Sequence, residues 1–234
     1  MDDRSPSGDP PVSDRQEPVG QLQFRYPAVL VLMLAAVVFL IAAPNANWSR
    51  AVGIAIEGFV LVLTVATSRA RESVRERRAI VIGLAMVVAV ALIGLGIAPR
   101  WLTFGIAIAV TAGIPIAMGR GLLRLLSRDG VTFNAVAGSL AIYLSTGLVF
   151  AWIAGLIANL SANTLYFAQH TDGTQGDKVY YSFTVLTTTG FGDFTPATPA
   201  GHAVAVIEML VGQLYLVTVI GLLIGNFAAR RRSV

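Results

Sequence analysis

A seven-residue segment with the sequence TTTGFGD, at Thr187–Asp193, carries the residue types best suited to chemistry. Gly190 and Gly192 alternate with larger residues. Glycine adopts positive φ without a Cβ clash, so neighbouring carbonyl groups can turn toward one side of an extended strand. Carbonyl oxygens aligned in this way replace the water shell of a dehydrated cation. Thr188 would add a hydroxyl oxygen, and the Asp193 carboxylate would concentrate cations nearby. The predicted chemistry is coordination of a cation by the backbone.

An apolar segment of only half the usual membrane-spanning length leads into these residues. Val179–Thr188 (VYYSFTVLTT) is ten residues long, whereas a helix needs roughly 20 apolar residues to cross a hydrocarbon core of ~30 Å. A short apolar helix of this kind enters the membrane and returns, and irregular backbone at that depth survives only where it lines a polar cavity. We therefore predict a re-entrant helix over 179–188 beside a pore.

The composition of the chain is that of a membrane protein. Of its 234 residues, 55% are hydrophobic and 13% are charged, and the mean hydropathy is +0.71. Soluble domains average about 45–50% apolar and about 25% charged residues, so a soluble enzyme or a disordered scaffold is excluded. The chain has no cysteine and two histidines, which argues against disulfides, thiolate nucleophiles and metal cofactors. We expect a protein that is not an enzyme.

Six long apolar segments predict an all-α membrane protein with six transmembrane helices plus the re-entrant pore helix. They are continuous, and they exceed the ~10 alternating residues of a transmembrane barrel strand. The predicted spans are Ala28–Ala43, Ala51–Thr67, Ala79–Ala98, Trp101–Gly119, Ala135–Leu160 and Gly201–Phe227.

The basic residues predict how these spans are oriented. Fourteen of the 17 Lys and Arg residues fall in the N-terminal segment, the second and fourth loops and the C-terminal end. Because basic loops stay on the cytoplasmic side, both termini are predicted to be cytoplasmic in a multi-pass protein of the cell membrane. Residues 1–26 are polar and rich in proline, and we predict a disordered cytoplasmic tail there.

The segment TTTGFGD resembles the potassium-channel signature, whose core is T-x-G-[Y/F]-G followed by Asp. The resemblance implies a potassium-selective ion channel subunit that conducts potassium passively. It covers roughly 134–230, which would form a pore domain with an outer helix, a pore helix at 179–188, a selectivity filter at 188–192 and an inner helix at 201–228. The likeness extends along both flanks, to Tyr180, Tyr181, Ser182, Thr195, Pro196 and Gly201.

The resemblance also implies site residues and partners. Its ion-binding residues are Thr188, Thr189, Gly190, Phe191 and Gly192, with potassium held at the first four. Asp193 would stand at the outer mouth. Because each chain has one filter strand and the family surrounds its pore with four, a homotetramer in contact with membrane lipids is implied, with no cofactor besides potassium ions and no nucleic acid.

The filter segment departs from the commonest family pattern at two positions. Thr189 stands where valine or isoleucine is usual, and Phe191 replaces tyrosine. A buried unpaired hydroxyl costs about 1–3 kcal/mol. We therefore expect the Thr189 hydroxyl to pair with the hydroxyl of Thr184 or Thr187, or with a trapped water.

The last predicted span contains two residues with open interpretations. The segment EMLVGQLY resembles the inner helix of small bacterial potassium channels, and Gly212 would then be a gating hinge, whereas a glycine that merely allows close helix packing is the alternative. Glu208 is an ionisable residue inside a membrane span, which is a functional hypothesis by default. The alternative is a protonated or hydrogen-bonded acid buried behind the filter.

The first four spans, over 27–119, match the sensor-bearing channels in number and topology only. Moving one charge through 100 mV supplies ~2.3 kcal/mol, so steep voltage gating needs several charges per subunit. The fourth span, Trp101–Gly119, carries no Arg or Lys, and we predict a channel that is not steeply voltage-gated. Glu57 has no obvious basic partner in a neighbouring span and is expected to face the bundle interior.

An amphipathic linker is predicted at 120–133. Arg120, Arg124 and Arg128 follow one another at intervals of four, with leucines mostly between them. Such a helix lies on the cytoplasmic leaflet with its arginines toward lipid phosphates. An ordinary solvated basic loop is the alternative.

Three other functions remain open on the sequence. A weakly selective cation channel would share all of these features. A secondary transporter has matched pairs of broken helices, but here a single segment is interrupted and no internal repeat is found. A non-conducting membrane partner could use the same pore fold.

Overall fold

The computed structural model describes residues 25–66, 72–129, 132–161, 164–221 and 223. This part of the chain is mostly helical, as predicted. Its α-helices are α1 (Arg25–Ala42), α2 (Asn47–Ala66), α3 (Glu72–Gly94), α4 (Arg100–Asp129), α5 (Phe133–Leu160), α6 (Gln175–Leu186) and α7 (Pro199–Leu214), and a π-helical segment, Tyr215–Ile220, continues α7.

Four of the helices are long and apolar enough to cross a membrane. They correspond to Asn47–Val65, Arg100–Gly119, Phe133–Leu160 and Pro199–Ile220. The apolar parts of α1 and α3 are shorter, at Tyr26–Ala42 and Ile80–Gly94. The helical membrane architecture is therefore confirmed, and the count of six spans stays a prediction.

Two predicted segment boundaries differ from the structure. The predicted tail falls largely outside the described residues, and α1 already begins at Arg25, within the last two residues assigned to that tail. Helix α4 continues without a break from the fourth predicted span to Asp129 in the predicted linker. Leu122 lies in this continuation and is buried together with Ala135 of α5, which explains why the chain stays helical past Gly119.

Helices α1, α2, α4 and α5 share one hydrophobic core. Helix α4 packs along α5, α2 packs against α3 and α4, and α1 packs against both α5 and α6. Met33, Ile54, Leu148 and Trp152 are fully buried where these helices meet. Helices α1 and α4 therefore pack directly against the helices that follow them in the chain, and α2 joins the same core through its contacts with both.

Helices α5 and α7 begin at threonine caps. The Thr132 hydroxyl accepts a hydrogen bond from the Ala135 backbone N–H at 3.3 Å, and the Thr198 hydroxyl accepts one from Gly201 at 3.1 Å. Each cap satisfies a backbone donor that has no partner within the helix. The caps fix where the two helices begin on either side of α6.

Candidate functional site

Helix α6 is the element that delivers the TTTGFGD segment. It begins at a capping box, in which the Thr174 hydroxyl accepts from the Asp177 N–H at 3.1 Å and the Asp177 carboxylate accepts from the Thr174 N–H at 2.7 Å. The helix therefore starts at Gln175, four residues before the predicted start at Val179, and ends at Leu186, two residues before the predicted end at Thr188. The pattern T-x-x-D is visible in the sequence and would have located this start.

After α6 the sign of the backbone dihedral angle φ alternates from one residue to the next. Thr188 has φ 58°, Gly190 has φ 53° and Gly192 has φ 80°, while the intervening Thr189 and Phe191 are not in the positive-φ region. The positive φ expected of the two glycines is confirmed. The positive φ of Thr188 was not predicted, because a left-handed conformation of an L-residue with a Cβ costs roughly 1–2 kcal/mol.

The last turn of α6 holds this strained backbone in place. The Thr184 carbonyl accepts hydrogen bonds from the N–H groups of both Thr189 (2.8 Å) and Gly190 (3.0 Å), and the Val185 carbonyl accepts from Thr188 at 2.9 Å. These carbonyls have no partner within a regular helix end. The helix terminus and the loop therefore satisfy one another, which offsets the cost of the Thr188 conformation.

The Thr189 hydroxyl has one of the expected partners. It lies 2.8 Å from the Thr187 hydroxyl, which in turn donates to the Phe183 carbonyl at 2.6 Å. Because the single proton of Thr187 is used by that carbonyl, Thr189 is the donor between the two hydroxyls. The Thr184 hydroxyl donates instead to the Tyr181 carbonyl at 2.8 Å. The prediction of a paired Thr189 hydroxyl is confirmed.

Tyr180 supports the far end of the segment. Its ring is stacked on that of Phe191, with centroids 6.4 Å apart and planes 4° from parallel. The neighbouring Asp193 carboxylate accepts a hydrogen bond from the Phe194 backbone N–H at 3.1 Å. Phe191 remains 69% exposed, so one face of this ring is left uncovered by the rest of the chain.

The chain that leaves the segment is fastened to the loop that precedes α6. The Tyr166 carbonyl accepts from the Ala197 N–H at 2.8 Å, and the Thr195 carbonyl accepts from the Ala168 N–H at 2.9 Å. The ring of Phe167 also lies on that of Phe194, with centroids 4.9 Å apart. Both ends of the TTTGFGD segment are therefore held, one by α6 and the other by this loop.

Helix α7 approaches the end of α6 closely at Gly212. A Cβ on this residue would lie 2.1 Å from the Leu186 carbonyl oxygen. The same oxygen accepts a hydrogen bond from the Tyr143 phenol of α5 at 3.0 Å. The α-helical conformation continues through Gly212, and the π-helical segment begins at Tyr215. Close packing accounts for the glycine, and its role as a gating hinge stays a prediction.

Glu208 is buried between three helices. It is 1% exposed, and its carboxyl oxygen is hydrogen-bonded to the Ser182 hydroxyl of α6. That hydroxyl also contacts the Gly147 carbonyl of α5 at 2.6 Å. Of the two interpretations of Glu208, the structure agrees with a hydrogen-bonded acid behind α6. Sequence analysis did not identify Ser182 as its partner, since the two residues lie on different helices.

Glu57 faces the bundle interior, as expected. It is fully buried, its carboxyl group is hydrogen-bonded to the Thr111 hydroxyl, and both of its oxygens lie 3.2 Å from the Trp152 indole nitrogen, whose N–H they accept. It thereby joins α2, α4 and α5. Among the described residues no group of three or more His, Asp or Glu could hold a metal ion.

The side chains of the predicted lipid-contacting arginines, Arg120, Arg124 and Arg128, lie outside the described part of the chain. Their backbone belongs to α4. Contact of these residues with lipid headgroups stays a prediction.

Comparison with known proteins supports the class that this architecture suggests. Residues 139–228 match the family model described as an ion channel, a segment that runs from α5 to beyond the π-helical segment and contains the whole TTTGFGD site. No curated protein matches the chain. The match and the apolar helices support a membrane protein that passes ions passively rather than an enzyme. The matched segment is 90 of the 234 residues.

Proposed function

We propose that the chain is the subunit of a potassium-selective channel. The observation that carries this proposal is the alternation in sign of φ at Thr188, Gly190 and Gly192, directly after a short capped helix. When the sign of φ alternates along a strand, successive carbonyl groups can turn to the same side, as the coordination of a dehydrated cation requires. We assign potassium to the positions of Thr188, Thr189, Gly190 and Phe191.

The other site residues have supporting roles in this proposal. Gly192 ends the filter at 188–192, and the exposed Asp193 carboxylate supplies a negative ring at the outer mouth that concentrates cations. The hydrogen bond from the Phe194 backbone N–H holds one oxygen of that carboxylate in place. Conduction through such a site needs no covalent step.

We further propose a homotetramer in the cell membrane, with both termini cytoplasmic. Only 17% of the most apolar window of α7 is buried within the chain, compared with 56% for α5. Thr187–Asp193 is likewise exposed in the single chain. A helix and a filter strand left uncovered in this way fit a subunit whose neighbours complete the pore, and four strands would surround an ion with carbonyls.

The channel would not be steeply voltage-gated. Helix α4 carries no Arg or Lys between Trp101 and Gly119, and steep gating draws its energy from several such charges. Thr111, at the middle of this span, is a neutral residue whose hydroxyl is hydrogen-bonded to the buried Glu57.

Reversal potential tests the proposal directly. The purified protein is reconstituted into a planar bilayer with potassium chloride on one side and sodium chloride on the other. We expect discrete current steps that reverse near the potassium equilibrium potential. The Gly190→Ala variant is the control, because a methyl group is disfavoured at φ 53° and should abolish the steps without preventing insertion.

Each alternative has its own outcome in this experiment. Steps that reverse near zero would indicate a weakly selective cation channel. Ion flux without unitary current steps would indicate a transporter. The absence of any current from a correctly assembled protein would indicate a non-conducting partner. Unchanged selectivity in Gly190→Ala would show that the filter is assigned to the wrong residues.

A further inference from the structure

The three helices of the pore region meet at one hydroxyl group. Ser182 of α6 is fully buried, and its Oγ lies 2.6 Å from the Gly147 carbonyl of α5 and within hydrogen-bond distance of the Glu208 carboxyl of α7. The approach to α5 is close, because a Cβ on Gly147 would lie 2.9 Å from the Phe183 ring. These contacts therefore link α5, α6 and α7 through a single side chain.

The number of protons available fixes the charge of Glu208. A serine hydroxyl has one proton to donate, and a backbone carbonyl can only accept. The 2.6 Å contact with Gly147 therefore uses the Ser182 proton. The contact between Ser182 and Glu208 then needs a second proton, and the carboxyl group is its only source. Glu208 must carry that proton, as a neutral carboxylic acid.

The surroundings of Glu208 agree with a neutral acid. In the described part of the chain, the titratable groups that interact electrostatically with Glu208 are three phenols: Tyr143 from α5, Tyr181 from α6 and Tyr166 from the loop before α6. Among the residues that the structure describes, no Lys, Arg or His forms an ion pair with it. A buried carboxylate without a cationic partner is strongly disfavoured relative to its neutral form.

We infer that Glu208 is a positioning residue that stays protonated. Its carboxylic acid O–H donates a hydrogen bond to the Ser182 hydroxyl, and this bond fixes the pore helix α6 between α5 and α7. Its effect on conduction rests on the proposed function, since α6 carries the filter. Its protonation does not depend on that function.

Ionisation of Glu208 would break this link. The Ser182 proton would turn to the carboxylate, and the Ser182 and Gly147 oxygens would be left 2.6 Å apart without a proton between them. Two facing lone pairs at that distance repel, so α6 would separate from α5. Alkaline conditions that ionise the acid should therefore destabilise the filter.

Glu57 provides a matched control in the same membrane. Its partner Thr111 donates to the Ala107 carbonyl at 2.6 Å, so by the same count Glu57 is also a neutral acid. It lies among α2, α4 and α5, and its second partner is Trp152 of α5, so neither of its hydrogen bonds reaches α6. The substitution of Glu57 by Gln therefore removes a buried neutral acid of the same kind without changing a contact of the filter helix α6.

Infrared spectroscopy of the reconstituted wild-type protein at neutral pH tests the protonation. We expect a carbonyl stretching band of protonated carboxylic acids that shifts in heavy water, and Glu208→Gln should remove one component while Glu57→Gln removes another. If Glu208→Gln leaves this band intact and removes a carboxylate band instead, the inference is wrong. This result is independent of whether the protein conducts potassium.

Single-channel recording tests the positioning role. Glu208→Gln keeps a donor for Ser182 and should retain wild-type open times, whereas Glu208→Leu removes the donor at similar volume and should shorten them about tenfold, equivalent to about 1.4 kcal/mol. Alkaline pH should shorten the open times of the wild type and of Glu57→Gln but not of Glu208→Gln. Equal open times in Glu208→Leu and the wild type, or equal pH profiles in Glu208→Gln and the wild type, would refute the role.

A third measurement separates this role from misfolding. Each variant is first shown to elute as the wild-type oligomer in detergent. If Glu208→Leu does not assemble, Ser182→Ala replaces it, because this variant loses both contacts while removing only an oxygen atom. A Ser182→Ala protein with wild-type open times would also refute the positioning role. A wild type without potassium selectivity would overturn the proposed function and leave the infrared result standing.

Discussion

Replacing Gly212 with alanine should destabilise the protein, although alanine is the better helix former. The substitution places a methyl group 2.1 Å from the Leu186 carbonyl oxygen, whereas ordinary contacts begin at 3.4 Å. The obstructing atom belongs to the backbone of α6, so no side chain can rotate out of the way. Helices α6 and α7 must therefore separate by more than about 1 Å at this point.

The expected size of the effect follows from two opposing terms. Alanine gains about 1 kcal/mol over glycine in a helix interior, and overpacking costs about 1–3 kcal/mol when the surroundings can adjust. Here the adjustment also strains the hydrogen bond from Tyr143 to the same Leu186 oxygen. The two terms leave a net loss of about 0–2 kcal/mol, and the strained hydrogen bond places the expected loss in the upper half of that range.

Thermal unfolding in detergent, read by circular dichroism, measures this effect. Gly221→Ala is the matched control, because its new methyl group would meet its nearest neighbour, the Leu216 carbonyl, at 3.8 Å. Gly212→Ala should unfold at a lower temperature than the wild type, and Gly221→Ala at the same or a higher one. If Gly212→Ala is as stable as Gly221→Ala while its gating changes, the residue is a hinge and the packing argument is wrong.

Three further predictions concern the filter, the voltage response and the outer surface. Thr189→Val removes the hydroxyl paired with Thr187 and should preserve conduction while changing open dwell times or barium block in single-channel recordings; identical dwell times and sodium permeability in the two proteins would show that the hydroxyl is neutral. The open probability should change shallowly between about −100 and +100 mV, and an e-fold change within about 10 mV would require a charge-bearing sensor. Lys178 is buried with its ammonium group on the Gly173 carbonyl at 2.9 Å, and burial lowers its pKa from 10.5 to about 8. At this residue the unfolded chain therefore binds more protons than the folded one between these two values, so the contribution of Lys178 to stability should rise with pH across this window. The slope of unfolding temperature against pH should therefore be less positive in Lys178→Met than in the wild type. Equal slopes in the two proteins would contradict the lowered pKa of Lys178.

The sequence was most informative where residue type dictates the backbone. Gly190 and Gly192 stand at alternate positions, and their positive φ follows from the absence of a Cβ. Thr188 continues the same alternation, but nothing in a β-branched residue suggests a left-handed conformation. The Thr184 carbonyl, which receives two hydrogen bonds from the loop, imposes it. Such tertiary constraints cannot be inferred from local propensity.

Contacts between residues far apart in the sequence could largely not be predicted. Glu57 and Glu208 stand out as acids in apolar spans, yet their partners Thr111 and Ser182 are ordinary polar residues on other helices. The capped start of α6 was missed for a different reason. The apolar pattern begins at Val179, whereas the helix begins with the polar turn that follows Thr174. Hydrophobicity marks the part of a helix that is buried rather than its ends.

The π-helical segment Tyr215–Ile220 has a consequence for comparing this chain with others. A π-helical turn accommodates one residue more than an α-helical turn, and each residue of an α-helix advances by about 100°. Gly221 and Leu223, the residues described after this segment, therefore stand about one residue's rotation away from the positions that an uninterrupted helix would give them. An alignment of this chain with a regular inner helix needs a one-residue gap near Tyr215. Without it, homology modelling would assign the wrong side chains to the helix face that continues from Gly212.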